Sequence, residues 1–94
     1  MSQLFLLTYD VACDRRRAKL HALLEQYGAP MQKSVFEARL SAKEEREVTA
    51  RARKIIDETE DQLLLYRISA GEERKIKCLG RPRAPVEDVT YFLI

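Results

Sequence analysis

Residues Gln3 to Tyr9 form an apolar run of strand length, too short for a buried helix and closed by a polar cluster that begins at Asp10. A central strand therefore opens the chain. Behind it Asp14 is placed to cap a helix in which Leu20, Leu23, Leu24 and Tyr27 recur at helical spacing until Gly28 and Pro30 stop it. Met31 to Leu40 is rich in strand formers, with Ser34, Phe36, Ala38 and Leu40 on one side and Lys33, Val35, Glu37 and Arg39 on the other. Ser41 followed by Glu44 is a capping-box pattern, after which Val48, Ala52, Ile55 and Ile56 keep one face of a second helix apolar. Leu63 to Ile68 reads as a further strand, Gly71 as a turn, and Ile76 to Leu79 as a short strand. Gly80 to Pro85 breaks regular structure before a last strand-forming run, Val89 to Ile94.

Strands alternating with two helices in 94 residues predict an α+β fold. The pattern is that of a ferredoxin-like sandwich: one mainly antiparallel sheet with both helices on one face. Residues 1–80 would form this domain and residues 81–94 a C-terminal extension. Only Pro30 to Ser41 lies between the helices, where the pattern needs two strands, so a very short hairpin or a sharply bent strand has to serve. A fold with one parallel crossover stays open at this stage. An apolar strand at a chain end invites aggregation, so Val89 to Ile94 is expected to pair with a free sheet edge, that of a second subunit. Pro82 and Pro85 would stiffen the bridge to it.

Hydrophobic residues at 46% and charged residues at 34% describe a soluble globular chain, with no membrane partner expected. The first residues lack the basic start, longer apolar stretch and cleavage site of a signal peptide. Cys13 and Cys78 have no spacing suited to a zinc site, which points to free thiols in a reducing, cytoplasmic compartment. A net charge of +2 implies no anionic partner by itself, but the charges are segregated. Basic residues gather at Arg15, Arg16, Arg17 and Lys19 and again from Arg74 to Arg83; acidic ones gather at Glu44, Glu45 and Glu47 and from Asp57 to Asp61. Such a chain either presents a basic face to phosphates or pairs its charges on solvated helix surface.

Asp10 ends the first strand, where a rigid sheet lies beneath a side chain that reaches solvent. A carboxylate there suits Mg²⁺ or Mn²⁺, although one carboxylate is too few oxygens, and a second copy across a two-fold axis would supply another. The alternative is that Asp10 caps the loop that follows it. Helical phase places Arg16 in line with Leu20, Leu23 and Tyr27, leaning toward Asp10 or Asp14 as a structural ion pair, while Arg15 and Arg17 are freer to meet phosphate. His21 falls on the polar flank of its helix and reads as surface. No cofactor-binding loop of the glycine-rich kind is present in the sequence.

Thr8-Tyr9-Asp10-Val11, then Arg15-Arg16-Arg17 with Lys19-Leu20, Tyr27-Gly28, Gln32-Lys33-Ser34-Val35-Phe36-Glu37, and Glu60-Asp61 before the Leu63 strand occur in one order along the chain. This ordered set resembles the CRISPR-associated endoribonuclease family, the small partner of the CRISPR integrase in spacer acquisition. The resemblance implies a ferredoxin-like fold and a homodimer in which the two copies of Asp10, as catalytic and metal-binding residues, face one shared divalent ion. It also implies metal-dependent cleavage of RNA or DNA in some members, and in others a non-enzymatic platform between two integrase dimers. In such a platform arginines, here Arg15, Arg16 and Arg17, grip the backbone of duplex DNA, with single-stranded RNA a further candidate ligand. A ferredoxin-like module that binds a small regulatory ligand, without nucleic acid, is the competing class.

Overall fold

The computed structural model describes residues 1–82. Its first strand, β1 (Gln3–Asp10), leads into α1 (Asp14–Glu25), and β2 (Gly28–Gln32) and β3 (Val35–Leu40) follow. Then come α2 (Ala42–Arg53), β4 (Gln62–Ile68) and one helical turn, α3 (Ala70–Glu73). The sheet order is β2-β3-β1-β4 with every neighbouring pair antiparallel, the ferredoxin-like arrangement expected from the alternation of elements.

The short span between the helices is solved by a hairpin. Gln32 pairs with Val35, leaving only Lys33 and Ser34 as the loop, and Ser34 takes a positive φ of 67°. Two-residue hairpin loops need such a φ because only then does the turn follow the twist of the strands. Room for β2 comes from starting it at Gly28, so Met31 to Leu40 is two strands rather than one. Pro30 is tolerated because β2 is an edge strand and loses no inner hydrogen bond.

Alternation along each strand sorts side chains between two faces. Phe5, Leu7 and Tyr9 of β1 and Phe36, Ala38 and Leu40 of β3 meet Leu20, Leu23, Leu24 and Tyr27 of α1 and Val48 and Ala52 of α2, all buried. Ile55, Ile56, Leu63 and Leu65 close the margin of this core. The capping box at α2 forms as expected: the Glu44 N–H donates to Ser41 Oγ at 3.1 Å and the Ser41 N–H to Glu44 Oε1 at 2.8 Å.

The opposite face is open at β4, while Lys77, Leu79 and Arg81 line a cleft on it with Leu6, Val35 and Glu37. Leu6, Thr8 and Asp10 lie on this face from β1, and Leu64 and Tyr66 on β4 are 38% and 51% exposed. Near one end α3 lies against β1, pinned by an ion pair between Arg39 and Glu73, and there Leu4 is buried.

Three expectations need correction. Cys13, not Asp14, is the N-cap residue of α1; Asp14 is the first helical residue, where a carboxylate favours the helix dipole. Gly71 lies inside a helical turn, because Ser69 and Glu72 stand at capping spacing and Ser69 Oγ accepts from the Glu72 N–H at 3.2 Å. Residues 76–79 form no strand. The terminal run Val89 to Ile94 lies outside the described residues.

Gly28 is required by close approach. A Cβ there would lie 2.1 Å from the Glu37 carbonyl oxygen and 2.7 Å from Ala38 Cβ. Gly28→Ala is expected to destabilise the domain by about 3 kcal/mol through overpacking of the β2–β3 pair. Gly71→Ala, whose Cβ would meet nothing closer than 4.0 Å, should cost nothing. Urea unfolding of both variants checks this through the midpoints, with the slope unchanged.

Candidate functional site at the end of strand β1

Pairing with β3 and β4 fixes β1 along its length and delivers Asp10 to the sheet end, opposite Gln62 and exposed to solvent. The next residues run directly into α1, so the first turn of that helix stands beside the strand end. Antiparallel pairing also returns the segment before β4 to the same corner.

Asp61 organises the corner. Its carboxylate accepts from the Ala12 N–H at 3.0 Å, from Arg16 Nε at 2.7 Å and Nη2 at 3.1 Å, and from the Asp57 N–H at 2.8 Å. The Asp61 side chain has no solvent exposure. Bonding to the Arg16 guanidinium holds its carboxyl well below the usual carboxylate range, against the opposing effect of burial, and the same pairing raises Arg16. Glu60 adds a second, more exposed carboxylate 3.6 Å from Arg16. Arg16 thus turns inward as its helical phase requires, but its partner is Asp61 rather than Asp10 or Asp14.

Arg17 is engaged as well. Nε and Nη2 donate to the Val11 carbonyl at 3.2 and 2.9 Å, and Nη1 pairs with Asp14 at 2.6 Å, so this side chain staples the loop after β1. Its side chain keeps 39% exposure, enough for an outer edge to meet solvent. Arg15 is exposed and pairs with no carboxylate among the described residues. The backbone N–H groups of Arg16 and Arg15 draw the Cys13 thiol down at the start of the helix.

These contacts bear directly on Asp10. The loop that Asp10 could have capped is held by Asp61 through the Ala12 N–H, and no described group bonds the Asp10 carboxylate. Its oxygens are therefore available, hard donors of the type Mg²⁺ and Mn²⁺ favour. Among the described residues no three His, Cys, Asp or Glu side chains converge into a metal-holding group. One copy of the chain supplies one carboxylate.

His21 keeps 43% of its side chain exposed, as its place on the polar flank implies, and is anchored at its inner edge. Its Nδ1 lies 3.1 Å from the Tyr9 hydroxyl, its ring meets Phe36 edge-on at 5.0 Å, and Glu25 lies 3.6 Å from Nε2. It covers the core end of β1 behind the corner. Sequence reading missed Asp61 as the hub: an inward Arg16 calls for a buried anion, but only the register that pairs Asp10 with Gln62 brings Asp61 to that place.

The family model described as CRISPR associated protein Cas2 matches residues 3–76. A CRISPR-associated endoribonuclease Cas2 of Synechocystis sp. is 40% identical over 79 residues, 84% of this chain and 86% of that protein. The crystal structure of Streptococcus pyogenes Cas2 superimposes with a TM-score of 0.72 at 30% identity, covering 82% of this chain and 99% of that one. A chain of a partial Cas6-RT-Cas1–Cas2 complex superimposes with a TM-score of 0.73 at 27% identity, covering 90% and 98%.

The pairing of Arg16 with Asp61 makes stability depend on acid in a defined direction. The folded-state carboxyl of Asp61 ionises below its unfolded value, so its stabilisation is complete above about pH 4 and is lost as pH falls toward the folded value. Asp61→Asn is expected to lower the urea midpoint at neutral pH, and its midpoint should then change less than the wild type's below about pH 4. Unfolding curves at a series of pH values test both halves.

Proposed function

We propose that this chain, which belongs to the CRISPR-associated Cas2 family, acts as a homodimeric nucleic-acid-binding platform that works with the CRISPR integrase to capture and integrate spacer DNA. The observation that carries the reading is the free Asp10 carboxylate at the corner of an open, partly apolar sheet face. Tyr66 and Leu64 on that face are side chains that a soluble protein covers, and a second copy covers them by presenting the same patch in return. Pairing of that kind sets a carboxylate from each copy at the shared boundary. The C-terminal extension, residues 81–94, would reinforce the pair by lending its apolar terminal run to the other copy's sheet edge.

Integrase partnership is supported by the similar chain in the partial Cas6-RT-Cas1–Cas2 complex. Duplex DNA meets the first turn of α1, where Arg15 offers an unpaired charge and Arg17 an outer edge, in a grip that follows charge rather than sequence. Arg16 acts one step back, by fixing the loop and helix that carry the other two.

Metal-dependent hydrolysis of RNA or DNA is a second activity of the same corner, supported by the endoribonuclease name of the Synechocystis relative. The two copies of Asp10 would hold one Mg²⁺ or Mn²⁺, which supplies water activation and charge stabilisation at the scissile phosphate. Asp10 contributes negative oxygens, and the arginines hold the backbone across them. The platform role is the primary one, because each copy brings a single exposed carboxylate and the described residues form no group of three side chains able to hold a metal.

Asp10→Asn separates the two activities. Hydrolysis of RNA and DNA with Mg²⁺ or Mn²⁺ should collapse, duplex affinity should hold or rise as negative charge leaves the site, and spacer-acquisition frequency in cells should persist. Loss of acquisition together with hydrolysis would overturn the platform as primary role; undiminished hydrolysis would remove Asp10 from the catalytic site. Tyr66→Glu, placed on the open face, should shift the mass measured by light scattering from dimer to monomer. An unchanged dimer would exclude that face as the interface.

A further inference from the structure

The side of the domain away from the open sheet carries a shallow groove between α1 and α2. Lys19, Gln26, Arg51 and Lys54 rim it, and Ala22, Leu23 and Ile55 form its floor. Arg15 lies four residues before Lys19, hence on the same flank of α1, and extends the line of cations to the helix start.

The charges near this groove are unevenly matched. Arg16 is taken by Asp61, Arg17 by Asp14 and Arg53 by Glu58 at 3.7 Å. The acidic residues after α2 are likewise occupied: Glu60 faces Arg16, and Asp57 accepts from the Thr59 N–H and hydroxyl. Among the described residues no carboxylate pairs with Arg15, Lys19 or Lys54. Arg51 is held in place and shares the Tyr27 hydroxyl with Glu47 instead of pairing with it directly. It donates to the Tyr27 hydroxyl at 3.0 Å and lies 5.6 Å over that ring, while Glu47 reaches only the same hydroxyl.

We infer that Arg15, Lys19, Lys54 and Arg51 form a track along the α1–α2 groove that carries a nucleic-acid phosphate backbone, on the side of each protomer remote from the open sheet face. The inference rests on the nucleic-acid-binding reading above and extends it from the first helical turn to a second helix. A line of cations, three of which have no carboxylate partner among the described residues, matches a polyanion, and an Arg51 already positioned by Tyr27 loses little freedom when a phosphate arrives. An acidic protein segment fits less well. The floor offers only the Ala22 methyl, a Leu23 already buried by the core, and a half-buried Ile55, too little apolar surface to seat an anchoring side chain.

The test uses the full chain and a short labelled DNA duplex, with binding followed by fluorescence anisotropy over a salt series. Removing two phosphate contacts with Lys19→Ala and Lys54→Ala together is expected to reduce the slope of log affinity against log salt by about 2, equally for duplexes of unrelated sequence. Lys19→Arg with Lys54→Arg should keep the wild-type slope, and an unchanged urea midpoint in both doubles shows that the fold is intact. If the wild type shows no salt-dependent binding, the nucleic-acid-binding reading itself falls. If Arg15→Ala lowers the slope and the double alanine variant does not, the reading stands and the track is overturned. If the double alanine variant binds duplex like the wild type but no longer retains purified integrase, the groove receives protein and the inference is equally overturned.

Discussion

The Asp61 carboxylate has no contact with solvent, yet it stays ionised because four hydrogen bonds surround it, two of them from one guanidinium. An unpaired carboxylate in that position would be strongly unfavourable, and so would an unpaired Arg16. What the pair adds is geometry more than bulk stability. Through Ala12 it sets the path of the chain leaving β1, through Arg16 the first turn of α1, and through Asp57 the turn that feeds β4. Two stretches distant in sequence, residues 12–16 and 57–61, are thereby held at one corner of the sheet, which is the corner that carries Asp10.

A consequence is a division of labour between two aspartates at neighbouring places in the fold. Asp61 is buried and saturated with donors, so it cannot take part in ligand chemistry. Asp10 is exposed and bonded by no described group, so it can. The arginines divide in the same way: Arg16 is consumed by Asp61, Arg17 is spent mainly on the Val11 carbonyl, and Arg15 is left with its charge unmatched. A cluster that looks uniform in sequence is therefore graded in the structure, from the wholly structural to the wholly available.

Much of this fold was legible before any coordinates. The apolar run into Asp10, the helical spacing of Leu20, Leu23, Leu24 and Tyr27, and the Ser41–Glu44 box each express a local preference that the tertiary structure leaves in place. The hairpin was harder because Gly28 and Pro30 signal the end of a helix, and the same residues serve here to begin an edge strand. Ser34 gives no warning that it will take a positive φ, since the requirement comes from the two-residue loop rather than from serine. At the site, helical phase found the inward arginine but could not name its partner. The missing information was strand register, a non-local quantity that only the pairing of β1 with β4 supplies. Helical phase likewise put His21 at the surface without its anchors: periodicity around α1 measures polarity, whereas the Tyr9 and Phe36 rings that receive it belong to the sheet.

The two faces of the domain present different chemistry, which would let the proposed platform meet two kinds of partner. The sheet face is apolar around Leu64 and Tyr66, and its ion pair between Arg39 and Glu73 is internally neutral, so it suits contact with another protein surface. The helical face keeps cations that no described carboxylate matches, although the whole chain carries a net charge of only +2. Segregation rather than excess of charge produces this. The acids that balance the total are drawn into the Asp61 corner, the Tyr27 hydroxyl and the α2 cap, where hydrogen bonds hold them away from the groove. A pair of such domains joined through their sheet faces would bury the apolar surface inward and leave a cationic helical face on each outer side. The proposed protein–protein and protein–phosphate contacts would then make no competing demand on the same residues.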